Sequence, residues 1–394
     1  MKVITDKQKI ENLLTRGVEN IYPDVDFLRK KLQSGKQLSL YLGIDPTGSS
    51  LHLGHAISMM KLRQFQDLGH KVILLIGSFT AMIGDPTDKS ATRQPLTRDQ
   101  VMVNCKNYKA QASKILDIKK TEINYNHKWL DKMNFKDVVD LASNFTVQQM
   151  LERDMFEKRI KEGKPVGLHE FLYPLMQGYD CVAMDVDGEI GGNDQTFNML
   201  AGRTLMKALK NKEKFVVTNK LLVDSTGKKM GKTEGNMVNL SNEAGEMFGK
   251  VMAWSDGMIV NGFDLCTFES NEKVKEVKRR LAKGENPRDL KLELALAIVT
   301  IYHGEILAEK AKEDFIKTFS QKQQPDEIKE YNLAGKNIIE VLVESGLVQS
   351  NSDARRAIQQ NGVKINDQVV VEINIKLMAG DVVQKGKRHF VKIA

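Results

Sequence analysis

Short apolar runs alternate with segments of helical periodicity along the first 225 residues. The apolar runs, bounded by turn residues, predict strands over 38–44, 72–77, 121–126, 182–192 and 215–223. Apolar positions at helical spacing predict helices over 53–69, 98–117, 146–161, 168–181 and 195–210. Because strands and helices alternate, the pattern predicts an α/β fold, with a Rossmann-like parallel sheet covered by helices on both faces.

The pattern changes near residue 240. Charged amphipathic helices are predicted over 272–283, 288–302 and 304–319, whereas residues 320–335 are polar and contain the last proline of the chain. Two short helices and then alternating strands follow. We therefore predict a Rossmann-like α/β domain over 1–228, an all-helical domain over 229–325, a linker over 326–335 and a small α+β domain over 336–394.

Composition limits the class of protein and the compartment in which we expect it. The 394 residues are 41% hydrophobic and carry a formal net charge of +8, which fits a globular protein and weakly favours an anionic partner. Cys105, Cys181 and Cys266 are widely separated, which argues against a disulfide framework or a cysteine zinc site. No apolar run approaches the length of a membrane span, and charged residues are spread through the first ten positions. We expect a cytoplasmic protein without a membrane partner.

Two histidines, His52 and His55, lie at the start of the predicted helix 53–69. Residues three apart share a helix face, and the free amides of a first turn together with the helix dipole attract anions. The pair therefore suits a nucleotide phosphate, and Gly54 would let a ligand ring approach the backbone. The alternative is that His52 caps the helix and His55 packs in the interior. A metal site is disfavoured because only Asp45 is near as a further ligand.

A glycine-punctuated loop with three lysines spans residues 224–235. It superficially resembles a phosphate-binding P-loop, but only three residues separate Gly227 from Gly231, and no convincing helix follows. These two departures exclude a P-loop ATPase. Considered alone, the loop is better explained as a solvated lysine-rich turn.

The two features together carry more information than either alone. "HLGH" at 52–55 and "KMGKT" at 229–233 resemble the paired signatures of class I aminoacyl-tRNA synthetases. "YLGIDPTGSSLHLGH", "GSFTAMIGDPTDKSATR", "EFLYPLMQGYD" and "GGNDQTFN" are similar, in this order, to segments of the bacterial tyrosyl-tRNA synthetases. The resemblance covers nearly the whole chain. It implies activation of L-tyrosine by ATP to tyrosyl-adenylate and pyrophosphate, then transfer of tyrosine to the 3' end of tRNA(Tyr).

The resemblance also implies roles for individual residues. The catalytic group would be Thr47, His52, His55, Lys229, Lys232, Lys89 and Arg93. The tyrosine-binding group would be Tyr41, Gly43, Asp45, Thr80, Asp85, Tyr173, Gln177, Asp180 and Gln195. The ATP-binding group would be His52, Gly54, His55, Gly192, Asp194, Met230 and Lys232. ATP is a substrate, Mg²⁺ would arrive with it, and no dedicated protein metal site is expected.

Within the tyrosine-binding group, Tyr41 and Asp180 would read the phenol hydroxyl. Tyr173, Gln177, Thr80 and Asp85 would hold the ammonium group, and Gln195 would orient the carboxylate. Tyr173, Gln177 and Asp180 are spaced to share one helix face, a pattern that a solvent-facing stripe also produces. Asp88 adjoins Lys89, and its carboxylate would offset part of the attraction of that lysine for phosphate.

The resemblance implies three macromolecular contacts. The C-terminal piece, with nine basic and six acidic residues over 336–394 and Arg355 and Arg356 on its second helix, would bind tRNA. The helical domain would contact the anticodon, and the insertion 127–165 would form a homodimer. The alternatives are a tryptophanyl-tRNA synthetase, a non-catalytic RNA-binding protein with this fold, and a small nucleotidyltransferase. Tyr41 and Asp180 argue against the first alternative, and the intact signatures argue against the second. The C-terminal piece argues against the third.

Overall fold

A computed structural model describes residues 2–85, 96–223, 237–320, 328–386 and 389–394, which form two compact units, one up to Glu305 and one from Ile306. A six-stranded sheet organises the first unit. Its strands are β1 (Val18–Tyr22), β2 (Ser39–Ile44), β3 (Lys71–Ile76), β4 (Thr121–Tyr125), β5 (Gly188–Gly192) and β6 (Phe215–Asn219). Their order is β1-β6-β5-β2-β3-β4, and β1 alone pairs antiparallel.

Helices connect and cover these strands. Those up to β5 are α1 (Lys7–Thr15), α2 (Val25–Gln33), α3 (Leu53–Asp67), α4 (Thr80–Ile83), α5 (Arg98–Cys105), α6 (Tyr108–Ala112), α7 (His127–Leu130), α8 (Phe135–Ala142), α9 (Val147–Leu151), α10 (Asp154–Lys161) and α11 (Leu168–Met184). Those after β5 are α12 (Thr196–Lys210), α13 (Ala244–Met252), α14 (Ile259–Cys266), α15 (Asn271–Ala282) and α16 (Pro287–His303), with 3₁₀ turns at Asn193–Gln195 and Asp256–Met258. The helices α13–α16 belong to the same compact unit as the sheet.

The strand order places a crevice at one end of the sheet. The chain runs from β2 through α3 to β3 on one side, and β5 then pairs with β2 on its other side. The order of the strands therefore reverses between β2 and β5. In open α/β sheets, ligands bind beyond the carboxyl ends of the strands at such a switch point. The predicted α/β architecture is confirmed.

Several predicted boundaries differ from the structure. The strand predicted over 182–192 begins only at Gly188, because the apolar residues 182–184 continue α11, which ends where Asp185 adopts a left-handed conformation with φ 49°. The helices predicted over 98–117 and 146–161 are each divided in two, and the strand predicted over 215–223 ends at Asn219. The domain boundaries predicted at 228/229 and 325/326 lie outside the described residues.

The second unit contains the remaining elements. These are α17 (Glu305–Ser320), β7 (Lys329–Tyr331), α18 (Ile338–Glu344), α19 (Asn351–Gln359), β8 (Val363–Ile365), β9 (Gln368–Val369), β10 (Val382–Lys385) and β11 (His389–Ile393). The five strands form one sheet in the order β7-β11-β10-β8-β9. Its core contains Ile338, Leu342, Ile358, Val383 and Val391. Part of the predicted linker 326–335 is thus a strand, because β7 pairs in parallel with β11. In the described part of the chain, no helix is long and apolar enough to cross a membrane.

Candidate active site

A carboxylate directly after β2 joins three elements at the crevice. Asp45 Oδ1 accepts a hydrogen bond of 2.6 Å from Thr80 Oγ1 at the start of α4, and Oδ2 accepts one of 2.7 Å from Tyr173 Oη on α11. Burial, and next the Asp45 carboxylate, raise the pKa of Tyr173 well above its usual value, so the tyrosine remains a donor. Asp45 therefore holds α4 and α11 together with a buried, directional polar contact.

A second carboxylate, Asp180, lies one and two helical turns further along α11 from Gln177 and Tyr173, and is 3% exposed. Trp129 Nε1 donates to its Oδ1 at 2.7 Å, and Asn126 Nδ2 donates to its Oδ2 at 3.3 Å. Asn126 Nδ2 also donates to Thr80 Oγ1 at 3.0 Å, which connects this carboxylate to Asp45. Burial raises the pKa of Asp180 well above its usual value, and the Trp129 and Asn126 hydrogen bonds oppose that shift.

A third carboxylate, Asp85, follows α4. Arg153 Nη2 donates to its Oδ1 at 3.0 Å, and Gln195 Nε2 donates to its Oδ2 at 2.8 Å. Arg153 is 6% exposed, and its guanidinium lies over the rings of Phe156 and Phe197. Arg153 comes from the predicted insertion 127–165, so this segment contributes directly to the crevice.

Tyr41, on β2, is completely buried beside these groups. Its hydroxyl has no hydrogen-bond partner among the described residues. Burial, and next the Glu189 carboxylate, raise the pKa of Tyr41 well above its usual value. A neutral hydroxyl in this position can both donate and accept. Since buried polar groups in proteins are normally paired, this hydroxyl is available to a polar ligand atom.

The histidine pair begins α3. His52 is the N-cap residue, and its Nδ1 accepts from Gly54 N at 3.1 Å; His55 Nδ1 accepts from His52 N at 3.2 Å. Because both Nδ1 atoms accept, the neutral rings carry their protons on Nε2 and are donors there. The capping alternative therefore holds for His52, and it is compatible with phosphate binding. A Cβ on Gly54 would lie 2.9 Å from the His52 ring, so the glycine also makes room for that ring.

The chain after the lysine-rich loop returns to the histidines. Leu53 N donates to Val238 O at 3.0 Å, and Leu240 N donates to Leu51 O at 2.8 Å. His52 and Asn239 form an isolated β-bridge. The predicted site residues Lys89, Arg93, Lys229, Met230 and Lys232 lie outside the described residues, but the backbone that continues from the loop is fixed beside His52.

The structure brings the predicted tyrosine-binding residues to one end of the sheet. Asp45 accepts hydrogen bonds from Thr80 and Tyr173, and Asn126 donates to both Thr80 and Asp180. Separately, Gln195 donates to Asp85. Gly43 lies in β2, Thr47 N bonds to Asp45 O, Gly192 ends β5 and Asp194 lies in the following 3₁₀ turn.

Sequence reasoning missed Asn126, Trp129, Arg153, Glu189 and Lys214. A usable signal existed for the first two, because Asn126 ends the predicted strand 121–126 and Trp129 lies three residues beyond it, and the carboxyl end of such a strand lies at the ligand-binding edge of a parallel sheet.

The sheet with its switch-point crevice and helix-start histidines defines a nucleotide-binding fold of the class I synthetase type. Residues 33–320 match the family described as tRNA synthetases class I (W and Y), and residues 320–393 match the tyrosine–tRNA ligase SYY-like C-terminal domain.

Individual relatives agree with the family matches. The chain is 44% identical over 392 residues to the tyrosine–tRNA ligase of Haemophilus ducreyi, covering 98% of this chain and 99% of that one. It is 44% identical over 402 residues to the tyrosine–tRNA ligase of Carboxydothermus hydrogenoformans, with 98% of each chain covered. A C-terminally truncated mitochondrial tyrosyl-tRNA synthetase from Coccidioides posadasii superposes with a TM-score of 0.64 at 25% identity, covering 78% of this chain and 92% of that one. The chain belongs to the class I tRNA synthetases of the tryptophan and tyrosine family.

Proposed function

We propose that this protein is a tyrosine–tRNA ligase, which activates L-tyrosine with ATP and transfers it to tRNA(Tyr). Its full-length curated relatives carry this name. The observation that carries the proposal is the buried carboxylate of Asp180, which Trp129 and Asn126 hold beside the unpaired hydroxyl of Tyr41. A tryptophan side chain offers a single N–H donor, whereas a phenol both donates and accepts, which is what Asp180 and Tyr41 together require.

Recognition of the phenol follows from burial. The hydroxyl of bound tyrosine donates to Asp180 and exchanges a hydrogen bond with Tyr41. Phenylalanine would leave the Tyr41 hydroxyl without a partner and Asp180 with one hydrogen bond fewer in a site that excludes water, and an unmade hydrogen bond to a buried polar group is costly. Tyrosyl-tRNA synthetases are the standard example of rejecting the deoxy analogue by this means.

The opposite end of the amino acid carries two charges. Its ammonium group needs acceptors and an anion, which Asp45, Asp85, Tyr173 and Thr80 supply together with Gln177 Oε1. Gln195 orients the carboxylate. The contacts between Asp45, Thr80 and Tyr173 support this assignment, because they fix the acceptors before the ligand arrives and so reduce the entropy lost on binding.

Activation joins this carboxylate to ATP. One carboxylate oxygen forms a bond to the α-phosphorus, the bond from that phosphorus to the bridging oxygen breaks, and pyrophosphate leaves with the electron pair. The carboxylate is already ionised at neutral pH, so no general base is needed. Catalysis therefore comes from positioning and from charge stabilisation on the phosphates. Thr47, His52 and His55 act from the helix side, Lys229 and Lys232 from the loop, and Lys89 and Arg93 add to the clamp.

The remaining parts of ATP have partners nearby. Gly192 and Gly54 allow close backbone approach to the nucleotide, Met230 belongs to the same ATP-binding group, and Asp194 accepts from ribose hydroxyls. Mg²⁺ arrives as the ATP complex, because the Nε2 donors of the histidines and the amides of α3 suit phosphate oxygens rather than a bare cation. Among the described residues, no group of three histidine, cysteine or acidic side chains is arranged to hold a metal.

The transfer step requires tRNA. A ribose hydroxyl of the terminal adenosine attacks the tyrosyl carbonyl, and AMP leaves. Arg355 and Arg356 on α19 are exposed and suit contacts to the RNA backbone, whereas Lys385 donates to Leu347 O and Lys392 pairs with Glu330 within the second unit. We assign residues 336–394 to tRNA binding and the preceding helical domain to the anticodon.

The insertion 127–165 is proposed to form a homodimer. Apolar side chains in and next to it are unusually exposed: Phe135 by 84%, Leu168 by 80% and Val147 by 67%. Large apolar side chains exposed in one region of a surface mark an interaction site. Three buried free cysteines agree with a reducing compartment, and we propose that the protein works in the cytoplasm.

Amino-acid-dependent exchange of labelled pyrophosphate into ATP, without tRNA, tests the proposal. We expect exchange with tyrosine and none with tryptophan or phenylalanine. Exchange with tryptophan would assign the chain to the sister enzyme, and no exchange by folded protein with Mg²⁺ would favour a non-catalytic RNA-binding protein. Charging of tRNA(Tyr) with labelled tyrosine tests the second step.

A further inference from the structure

A buried ion pair lies beside the tyrosine pocket. Lys214, directly before β6, is 0% exposed, and Glu189 on β5 is 2% exposed. Lys214 Nζ pairs with Glu189 Oε2 and also donates to Met199 O at 3.2 Å. Fully buried lysine and glutamate side chains are rare in proteins and cost more to desolvate than apolar ones of similar size. The pair therefore calls for a reason other than stability.

The packing of two helices makes room for this lysine. A Cβ on Gly202 of α12 would lie 2.6 Å from Lys214 Nζ, and a Cβ on Gly178 of α11 would lie 3.0 Å from Gly202 N. The glycines let α11 and α12 approach closely and still leave space for one ammonium group. Lys214 Nζ also lies 5.8 Å from the ring centroid of Tyr41. The ion pair is thus built into the floor of the pocket.

The pair is connected to the pocket through one amide. Glu189 Oε2 is occupied by Lys214, and Glu189 Oε1 accepts from Gln177 Nε2 at 3.2 Å. An amide has a donor end and an acceptor end. Because Nε2 of Gln177 is committed to Glu189, Oε1 is the atom that Gln177 presents to a ligand. An ionised carboxylate has no proton to donate, so it acts only as an acceptor.

We propose that the Lys214–Glu189 pair is a positioning device for substrate binding: it fixes the Gln177 amide with Oε1 directed to the ammonium group of tyrosine. This inference rests on the proposed function, in which Gln177 binds that group. Neither Lys214 nor Glu189 contacts the substrate, so both are positioning residues. An ammonium group meeting the wrong end of the amide would face a donor instead of an acceptor.

Glu189→Gln is the sharpest perturbation. Lys214 would take the amide oxygen of the new glutamine, whose Nε2 then faces Gln177 and turns its amide over. We expect the KM for tyrosine in pyrophosphate exchange to rise roughly tenfold, the value of one charge-assisted hydrogen bond, with little change in the KM for ATP. Inhibition by 3-(4-hydroxyphenyl)propionate, which lacks the ammonium group, should be nearly unchanged. Lys212→Met, which removes a partly exposed lysine close by in the chain, is the matched control.

Two further variants distinguish a positioning role of the Lys214–Glu189 pair from a purely structural one. Glu189→Leu combined with Lys214→Met removes both charges and the acceptor for Gln177 Nε2, so this double variant should unfold at or above the wild-type temperature and yet keep the raised KM for tyrosine. In a Gln177→Ala background, Glu189→Gln should raise that KM no further, because the two residues act through one contact. The double variant also keeps the test open if the single variant fails to fold.

The outcomes distinguish this inference from the function on which it rests. Suppose that the wild type exchanges pyrophosphate with tyrosine and that the folded Glu189 variants have a KM for tyrosine within twofold of the wild type. That result would overturn the positioning role and leave the proposed function intact. Equal losses with and without Gln177 would also overturn it. Absence of exchange by the wild type would reject the proposed function and this inference with it.

Discussion

Asp180→Asn tests how the pocket reads a phenol. The two carboxylate oxygens of Asp180 accept from Trp129 Nε1 and Asn126 Nδ2, and in the proposed complex one of them also accepts from the substrate hydroxyl. An asparagine has only one oxygen, so one of its two ends presents N–H groups to a neighbouring donor. Either the substrate or the protein therefore loses a hydrogen bond to this buried side chain.

The magnitude follows from that single loss. Leaving a buried donor or acceptor without its partner costs about 1–3 kcal/mol, which is roughly 5- to 150-fold in binding. We expect kcat/KM for tyrosine in pyrophosphate exchange to fall by this factor. Activity toward phenylalanine should change little, because phenylalanine never made the bond, so the discrimination between the two amino acids falls by about the same factor.

The same substitution should also change how the free energy of unfolding depends on pH. Burial raises the pKa of Asp180 in the folded protein, whereas the carboxyl group of the unfolded chain ionises near pH 4. The wild type consequently loses stability as the pH rises above about 4, toward the folded pKa, and the asparagine variant does not. The difference in free energy of unfolding between variant and wild type should therefore shift in favour of the variant from pH 4 to pH 8.

The assay compares kcat/KM for tyrosine and phenylalanine in Asp180→Asn and in Asp185→Asn, a control at an exposed carboxylate on the same helix end. Urea unfolding at several pH values supplies the stability measurement. Equal losses with tyrosine and phenylalanine, or a tyrosine value within threefold of the wild type, would refute the role given to Asp180.

Three further changes have defined outcomes. Lys232→Ala should lower the rate of adenylate formation about a hundredfold in single turnover while tyrosine affinity by equilibrium dialysis stays nearly constant; a lost affinity with a normal rate would contradict its role. His70 accepts from Leu38 N through Nδ1, and burial lowers its pKa to about 4, so the wild type should lose about 3 kcal/mol of stability as the pH falls from 6.5 to 4. His70→Gln should lack that loss in urea titrations, and an identical pH dependence would exclude the explanation. Phe135→Asp should convert a dimer to a monomer in sedimentation equilibrium, and an unchanged mass would remove Phe135 from the interface.

Much of the fold was predictable because its signals are local. The buried strands β2 and β3 are apolar runs, and α3 begins directly after His52, which caps it. The end of α11 was misjudged because residues 182–184 are apolar and suit a helix or a strand equally; the left-handed Asp185 that ends the helix has no strong sequence signal. β7 was missed because three polar residues pair only with the distant β11.

The site was predictable in its residue types but not in its connections. Asp45, Asp85 and Asp180 each lie in a motif-like segment of the sequence. Asn126 and Arg153, which bond to these carboxylates, come from a part of the chain with no recognisable motif. The buried Lys214 looks in the sequence like any charged residue before a strand. Its burial depends on Gly178 and Gly202, which belong to different helices and meet only in three dimensions.

The most direct test of the central claim is a crystal structure of the protein with bound L-tyrosine. We expect one tyrosine in the crevice between β2 and β5, with its phenol oxygen within hydrogen-bond distance of Asp180 and Tyr41 and its ammonium group near Asp45 and Gln177 Oε1. A tyrosine bound elsewhere, or bound here with its phenol oxygen unpaired, would contradict the account.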